Sequence, residues 1–193
     1  MRYGPEHNET TRERILDTAS RLFREHGIAG VGPATIMGEV GLTVGTFYTH
    51  FESKEALLKE ALVRTLQGRN DEYEKALQGD AFEFAVRAYL SPEHRDAMGS
   101  GCPIAALAPE VARHPRATRA TFAAHNAPSL DAIAAGLSSR RGEAVSRAEA
   151  AAFLGLLVGT LQLARATPDR AESTAVLEAG VRSALRLARP RVE

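Results

Sequence analysis

The stretch PATIMGEVGLTVGTFYTHF, residues 33 to 51, constrains this chain more than any other. Pro33 is preset for the first position of a helix. Ile36, Met37 and Val40 give that helix an apolar side before Gly41 stops it. After the turn Val40-Gly41-Leu42-Thr43, a second short helix is expected over Val44 to His50, with the Thr43 hydroxyl as its cap. Helix, tight turn, helix is the layout in which the second helix enters the major groove of DNA. Phe47 and Phe51, four residues apart, share a face and are expected to be core. The opposite side then presents Val44, Gly45, Thr46, Tyr48, Thr49 and His50. Hydroxyls and an imidazole bond phosphates or base edges, and a threonine methyl suits a thymine methyl. Gly45 removes a side chain where the helix backbone would come closest to DNA. Lys54 falls in the first turn of the following helix, beside backbone N–H groups that are themselves phosphate donors.

The rest of the chain carries the same helical period. Ile15, Leu16, Ala19, Leu22 and Phe23 form one face of a helix from about Glu9, which Gly27 is expected to end in a left-handed conformation with Ile28 packing back. Ser53 caps a long helix whose apolar side is Leu57, Leu58, Ala61, Leu62, Thr65 and Leu66. Further helices are expected near 80–90, from Pro103 to before Pro115, over 116–138, from 148, and from about Pro168 to Arg189. SPEHRDAMGSG and LSSRRGEAVS read as connections. Alanine and leucine dominate the apolar residues, which favours helix over strand. The expected fold class is therefore all-α, and 193 residues suit one domain or a small domain joined to a medium one.

Bulk electrostatics gives no support for a nucleic-acid partner. Net charge is zero, and residues 1–54 carry six Lys or Arg against seven Asp or Glu. Any such case rests on local arrangement. No apolar run reaches the roughly 18 residues of a membrane span, and the N-terminus lacks a signal-peptide pattern. No membrane partner is expected. A lone cysteine excludes an internal disulfide and fits a cytoplasmic location.

GTFYTHFESKEAL resembles, nearly residue for residue, the hallmark of the TetR family of bacterial transcriptional regulators: Gly-Thr-aromatic-Tyr-x-His-Phe, then Ser-Lys-Glu-Ala-Leu. ERILDTASRLFREHGIAGVGPATI resembles that family's first helix and the start of its second. The resemblance covers residues 9 to 60, about a quarter of the chain. It implies about nine helices: an N-terminal three-helix helix-turn-helix DNA-binding domain, 9–52, and a C-terminal helical domain for effector binding and dimerisation, 53–193. By position it implies that Thr35 contacts phosphate, that Tyr48, His50 and Lys54 hold the DNA backbone, and that Thr43, Val44, Gly45, Thr46 and Thr49 face the bases. Position 44 is often lysine in the family and is valine here. Position 52 is glutamate where lysine or proline is commoner. Both lower the positive charge at the groove, which shifts weight to Arg12, Arg14 and Lys54. Met37 and Val40 stand where small alanines are usual.

In the remainder, Ala150 to Ala164 is apolar nearly all round, so it must be buried on every side, part as core and part as subunit interface. Gly155 and Gly159 allow another helix to approach. The resemblance places the last two helices in a four-helix dimer interface, with Phe153, Leu156, Leu157, Gly159, Val181 and Leu185 as its expected residues. A two-fold homodimer would present two reading heads to an inverted-repeat operator in double-stranded DNA. An apolar pocket for a small-molecule effector of unassigned identity is expected among Leu66, Tyr73, Tyr89, Cys102, Leu107, Phe122, His125, Asn126 and Gln162. Cys102 precedes Pro103 at the expected start of a helix, where a thiolate is stabilised, and Arg95 lies in the adjoining loop. Thiol-based sensing is thus the alternative to reversible effector binding. The histidines share no metal-ligand spacing, and no phosphate loop follows a strand. No metal, cofactor or catalytic activity is expected.

Overall fold

In a computed structural model the chain is described over residues 5–76 and 81–190, with side chains described for 9–69 and 81–190. Among the described residues ten helices are formed: α1 Pro5–Gly30, α2 Pro33–Val40, α3 Val44–His50, α4 Lys54–Ala76, α5 Ala81–Tyr89, α6 Pro92–Asp96, α7 Pro103–Val111, α8 Arg116–Arg141, α9 Arg147–Ala166 and α10 Arg170–Leu187. No strand occurs among the described residues, and the all-α expectation holds.

The extra helix relative to the expected nine is α6, inside the segment read as a loop. Ser91 accepts a bond from the His94 N–H (3.2 Å) and Pro92 takes the first position. Those two local signals suffice for a single turn. The first helix also departs from expectation. Rather than stopping in the left-handed region, it kinks at Gly27 (φ 77°, ψ 160°) and continues to Gly30. The Glu110 carboxylate accepts from the N–H groups of Ile28 (3.1 Å) and Ala29 (2.9 Å), so the restarted turn is capped from α7. A Cβ on Gly27 would lie 2.6 Å from Glu110 Oε1, so any other residue there would have to displace that carboxylate.

The chain packs as two compact units. The first holds residues 1–66 and 99–125, and the second holds 67–98 and 126–193. In the first, α1 packs on α2 and on α7, and α2 packs on α3. Its core includes Ile15, Phe23, Ile36, Met37, Phe47, Leu57 and Leu58, all fully buried. Each such side chain contributes about 1.5–3 kcal/mol. Glu55, in the first turn of α4, receives His114 Nδ1 (3.0 Å) and the Thr118 hydroxyl.

In the second unit α9 runs along α10, α5 packs on α10, and α6 packs on α9. Ser146 and Glu149 form a reciprocal capping box at the start of α9, and Asp169 caps α10. Gly180 permits the close crossing of α9 and α10: a Cβ there would meet Thr160 Cγ2 at 2.4 Å. By length and mean hydropathy (1.2), α9 meets the minimum for crossing a membrane, although its run without charges, residues 150–164, stays short of the roughly 18 of a span. A third of its most apolar 18-residue window (33%) is buried within the chain, and the helix packs along α10. Within the single chain only part of α9 is buried, and the side expected to meet a second subunit is not tested by one chain. Ala151, Ala152, Gly155 and Leu163 are exposed, Leu163 by 64%.

Candidate nucleic-acid interface

The α2–α3 region folds from local signals. Gly32 is extended, Pro33 opens α2, and Gly41 ends it in the left-handed region (φ 76°, ψ 30°). The Leu42 N–H returns to Met37 O (2.9 Å) and the Gly41 N–H to Gly38 O (3.1 Å). Arg14 adds a bond to Val40 O (3.1 Å) at the same helix end. Helix α3 then buries Phe47 completely and stacks it against Phe51 at 5.7 Å between ring centres. Phe51 is also buried, under the Arg12 guanidinium at 4.9 Å.

With those rings anchored, the other side of α3 faces outward. Tyr48 is 62% exposed and Val44 41%, and Thr43, Gly45 and Thr49 are exposed as well. Thr46 and His50 are half-buried at the flanks, and Thr35 is exposed in the first turn of α2. Nothing but Thr43 Oγ1, at 3.8 Å, lies near the position of a Cβ on Gly45, so its backbone is open to a partner.

Three details differ from the sequence reading. The Thr43 hydroxyl does not cap α3. It pairs with the Thr46 hydroxyl at 3.1 Å, while Thr43 O accepts the Thr46 N–H (3.0 Å). Two threonines three apart on a helix start are within reach of each other, and each satisfies the other instead of the backbone. Second, Lys54 is half-buried and its ammonium donates to Ile28 O, which takes up one of its three donors. Third, Arg12 and Arg14 are committed inside the unit, Arg12 to Glu60 and Arg14 to Val40 O. Arg21 and Arg24 likewise donate to Glu25 and to Gly99 O. The reading head is thus short of uncommitted cations as well as of total charge. Burial lowers the His50 pKa below its ordinary value, and the Arg12 cation lowers it further while Glu9 opposes. At neutral pH this imidazole is a neutral hydrogen-bonding group.

The expected effector residues divide between the units. Leu66, Cys102, Leu107, Phe122 and His125 belong to the first, and Tyr89, Asn126 and Gln162 to the second. Tyr73 lies outside the residues whose side chains are described. Leu66, Cys102, Leu107 and Tyr89 are buried, and the others are half-buried. Asn126 Oδ1 is buried with no hydrogen-bond partner. Arg95 is itself buried, and its guanidinium binds Asp96 (2.9 Å) and Ser173 Oγ (2.9 Å). Its donors are taken up there rather than by a thiolate.

Of the expected interface residues, Phe153, Leu157 and Val181 are already buried in the chain, with the Phe153 ring 5.8 Å from Phe82. Leu156, Gly159 and Leu185 are half-buried, and apart from the backbone of α9 itself and the adjacent residues nothing lies within 4 Å of a Cβ placed on Gly155 or Gly159. The contacts of Glu110 and Glu55 were not legible in sequence, because their partners lie between 59 and 82 residues away.

A family model described as bacterial regulatory proteins, tetR family, matches residues 15–61, which contain α2, α3 and the start of α4. The HTH-type transcriptional regulator YerO of Bacillus subtilis (strain 168) is 48% identical over 50 residues, 26% of this chain and 17% of that protein. The HTH-type transcriptional regulator UidR of Escherichia coli (strain K12) is 28% identical over 109 residues, 56% of this chain and 55% of that one. The matches thus span about half or less of the curated relatives' lengths. A crystal structure of a TetR-family transcriptional regulator from Agrobacterium tumefaciens aligns with 93% of this chain and 97% of its own, at TM-score 0.76 and 24% identity. The reading head, the family match over it and the shared all-helical fold agree: residues 15–61 carry the helix-turn-helix segment described for the tetR family of bacterial regulatory proteins, and the chain as a whole has the fold of such regulators.

Proposed function

We propose that this chain is a cytoplasmic homodimeric repressor that holds an inverted-repeat operator and releases it when a small-molecule effector binds the helical body. The observation that carries this reading is α3, where buried Phe47 fixes a helix whose far side offers Val44, Tyr48 and Thr49 to the groove. Thr35, Tyr48, His50 and Lys54 take the DNA backbone, and Thr43, Val44, Gly45, Thr46 and Thr49 take base edges. Residues 9–52 supply this reading function, and 53–193 supply effector binding and dimerisation.

The uncovered apolar strip of α9 supports the dimer. Ala151, Ala152, Gly155 and Leu163 on one helix face call for a partner surface, and Gly155 and Gly159 permit close approach. Leu156 and Leu185 flank that strip, while Phe153, Leu157 and Val181 brace it from within the chain. Release is a shift between two states of different operator affinity. Within the first unit, Glu110 ties α7 to the end of α1, and His114 and Thr118 tie to Glu55 at the start of α4. A displacement of α7 is felt at the reading head through those carboxylates.

Sedimentation with the duplex flanking its own gene tests this reading. Two protomers per operator are expected, and one protomer saturating a half-site would contradict it. A second reading replaces the effector by covalent modification of Cys102, which directly precedes α7 and so sits at the start of the helix that holds α1 through Glu110. Cys102 is fully buried, so that chemistry requires the first turn of α7 to open.

A further inference from the structure

Helix α5 and the C-terminal ends of α8 and α10 gather Arg87, Arg140, Arg182, Arg186 and Arg189 around a cleft of about 370 Å³ whose lining includes one carboxylate, Glu83. In a chain of zero net charge this is a concentrated excess of four positive charges. Arg87 is held by Glu83 through Nε (2.9 Å) and Nη2 (2.7 Å), and Arg182 lies 3.8 Å from Glu178. Among the described residues no carboxylate pairs with Arg140, Arg186 or Arg189. Arg140 lies over the Phe82 ring at 5.1 Å, and its Nε is buried without a hydrogen-bond partner.

Like charges in a half-enclosed cleft repel with less screening than on an open surface. A buried N–H donor without an acceptor is costly as well. A multiply charged anion relieves both, and guanidinium forks match phosphate oxygens in two-bond geometry. The volume sits at the lower end of small-molecule sites, about 300–1,000 Å³, which favours a compact ligand over a duplex. We propose that this cleft binds a small molecule bearing a multiply charged phosphate group, with Arg140, Arg186 and Arg189 as its principal donors. The site is built from residues other than those of α2 and α3, and its occupancy is read without DNA.

Calorimetric titration of the full chain with pyrophosphate, at constant ionic strength, tests the proposal. The expected result is saturable binding, one per chain, weakened about tenfold or more in Arg186→Gln/Arg189→Gln. Both side chains are exposed, so thermal unfolding of that variant should match the parent. Arg140→Gln is expected to weaken binding as well, whereas acetate at the same ionic strength should not compete. Absence of saturation overturns the proposal. Unchanged affinity in both variants reduces pyrophosphate to an adventitious ion and also overturns it. Displacement of pyrophosphate by a duplex of random sequence would assign the patch to nucleic acid instead.

Discussion

Replacing Gly27 by alanine tests the packing that seats α1, and the expected cost follows from two features of the same residue. Its backbone (φ 77°, ψ 160°) lies where side chains are strained, at about 1–3 kcal/mol. The new Cβ would also stand 2.6 Å from Glu110 Oε1, so the carboxylate must leave. That loses its bonds to the Ile28 and Ala29 N–H groups, each worth on the order of 1 kcal/mol at a partly exposed site. Together the loss is about 3–5 kcal/mol, or roughly 6–20 °C in unfolding midpoint for a chain of this size. Urea unfolding of wild type, Gly27→Ala, Glu110→Ala and the double variant measures it. In the Glu110→Ala background the alanine should cost about 2 kcal/mol less, since no carboxylate remains to be displaced. A cost below about 0.5 kcal/mol, or an equal cost in both backgrounds, would refute the reasoning.

Other expectations follow from the same contacts. Because Arg12, Arg14 and one donor of Lys54 are committed inside the protein, operator affinity should fall gently with salt, with a log–log slope of about −4 to −5 for two heads. A slope near −9 would mean that these side chains leave their partners for phosphate. Burial, with help from the Arg69 and Arg165 cations and against its bond to Tyr89 O, holds His94 at a pKa of about 4, below the ordinary 6.5. The folded chain keeps this imidazole neutral, so its contribution is complete above pH 6.5 and is lost as pH falls towards 4. Allowing for screening of the partly exposed ring, that is about 1–2 kcal/mol, and His94→Gln should flatten the decline in unfolding free energy between pH 7 and pH 4.5. Cys102, fully buried, should react with a thiol reagent about a hundredfold more slowly in the native chain than in urea. Equal rates would favour the thiol-switch reading.

What was legible in the sequence is what short-range periodicity and capping control. Phe47 and Phe51 share a buried face because they are four apart, Pro33 and Gly41 bound α2, and Ser53 opens α4 by accepting the Ala56 N–H (3.1 Å). The errors arose where a distant residue intervened. Glu110 lets α1 continue past Gly27, and no local pattern points to a carboxylate 82 residues away. The apolar composition of α9 implied burial all round, shared between core and subunit interface, but composition carries no information on which face α10 covers. The cations of the reading head could be counted in sequence, but their commitment to Glu60, Val40 and Ile28 required coordinates.

The central claim is that the exposed side of α3 contacts DNA while its buried side only holds the helix. Its most direct test is the affinity of the Tyr48→Ala/Thr49→Ala variant for the duplex flanking the gene, by fluorescence anisotropy, alongside its thermal unfolding. Both side chains are exposed, so the unfolding midpoint should stay within about 2 °C of the parent while affinity drops at least about tenfold. Undiminished affinity at unchanged stability would contradict the claim and place any DNA contact elsewhere on the chain.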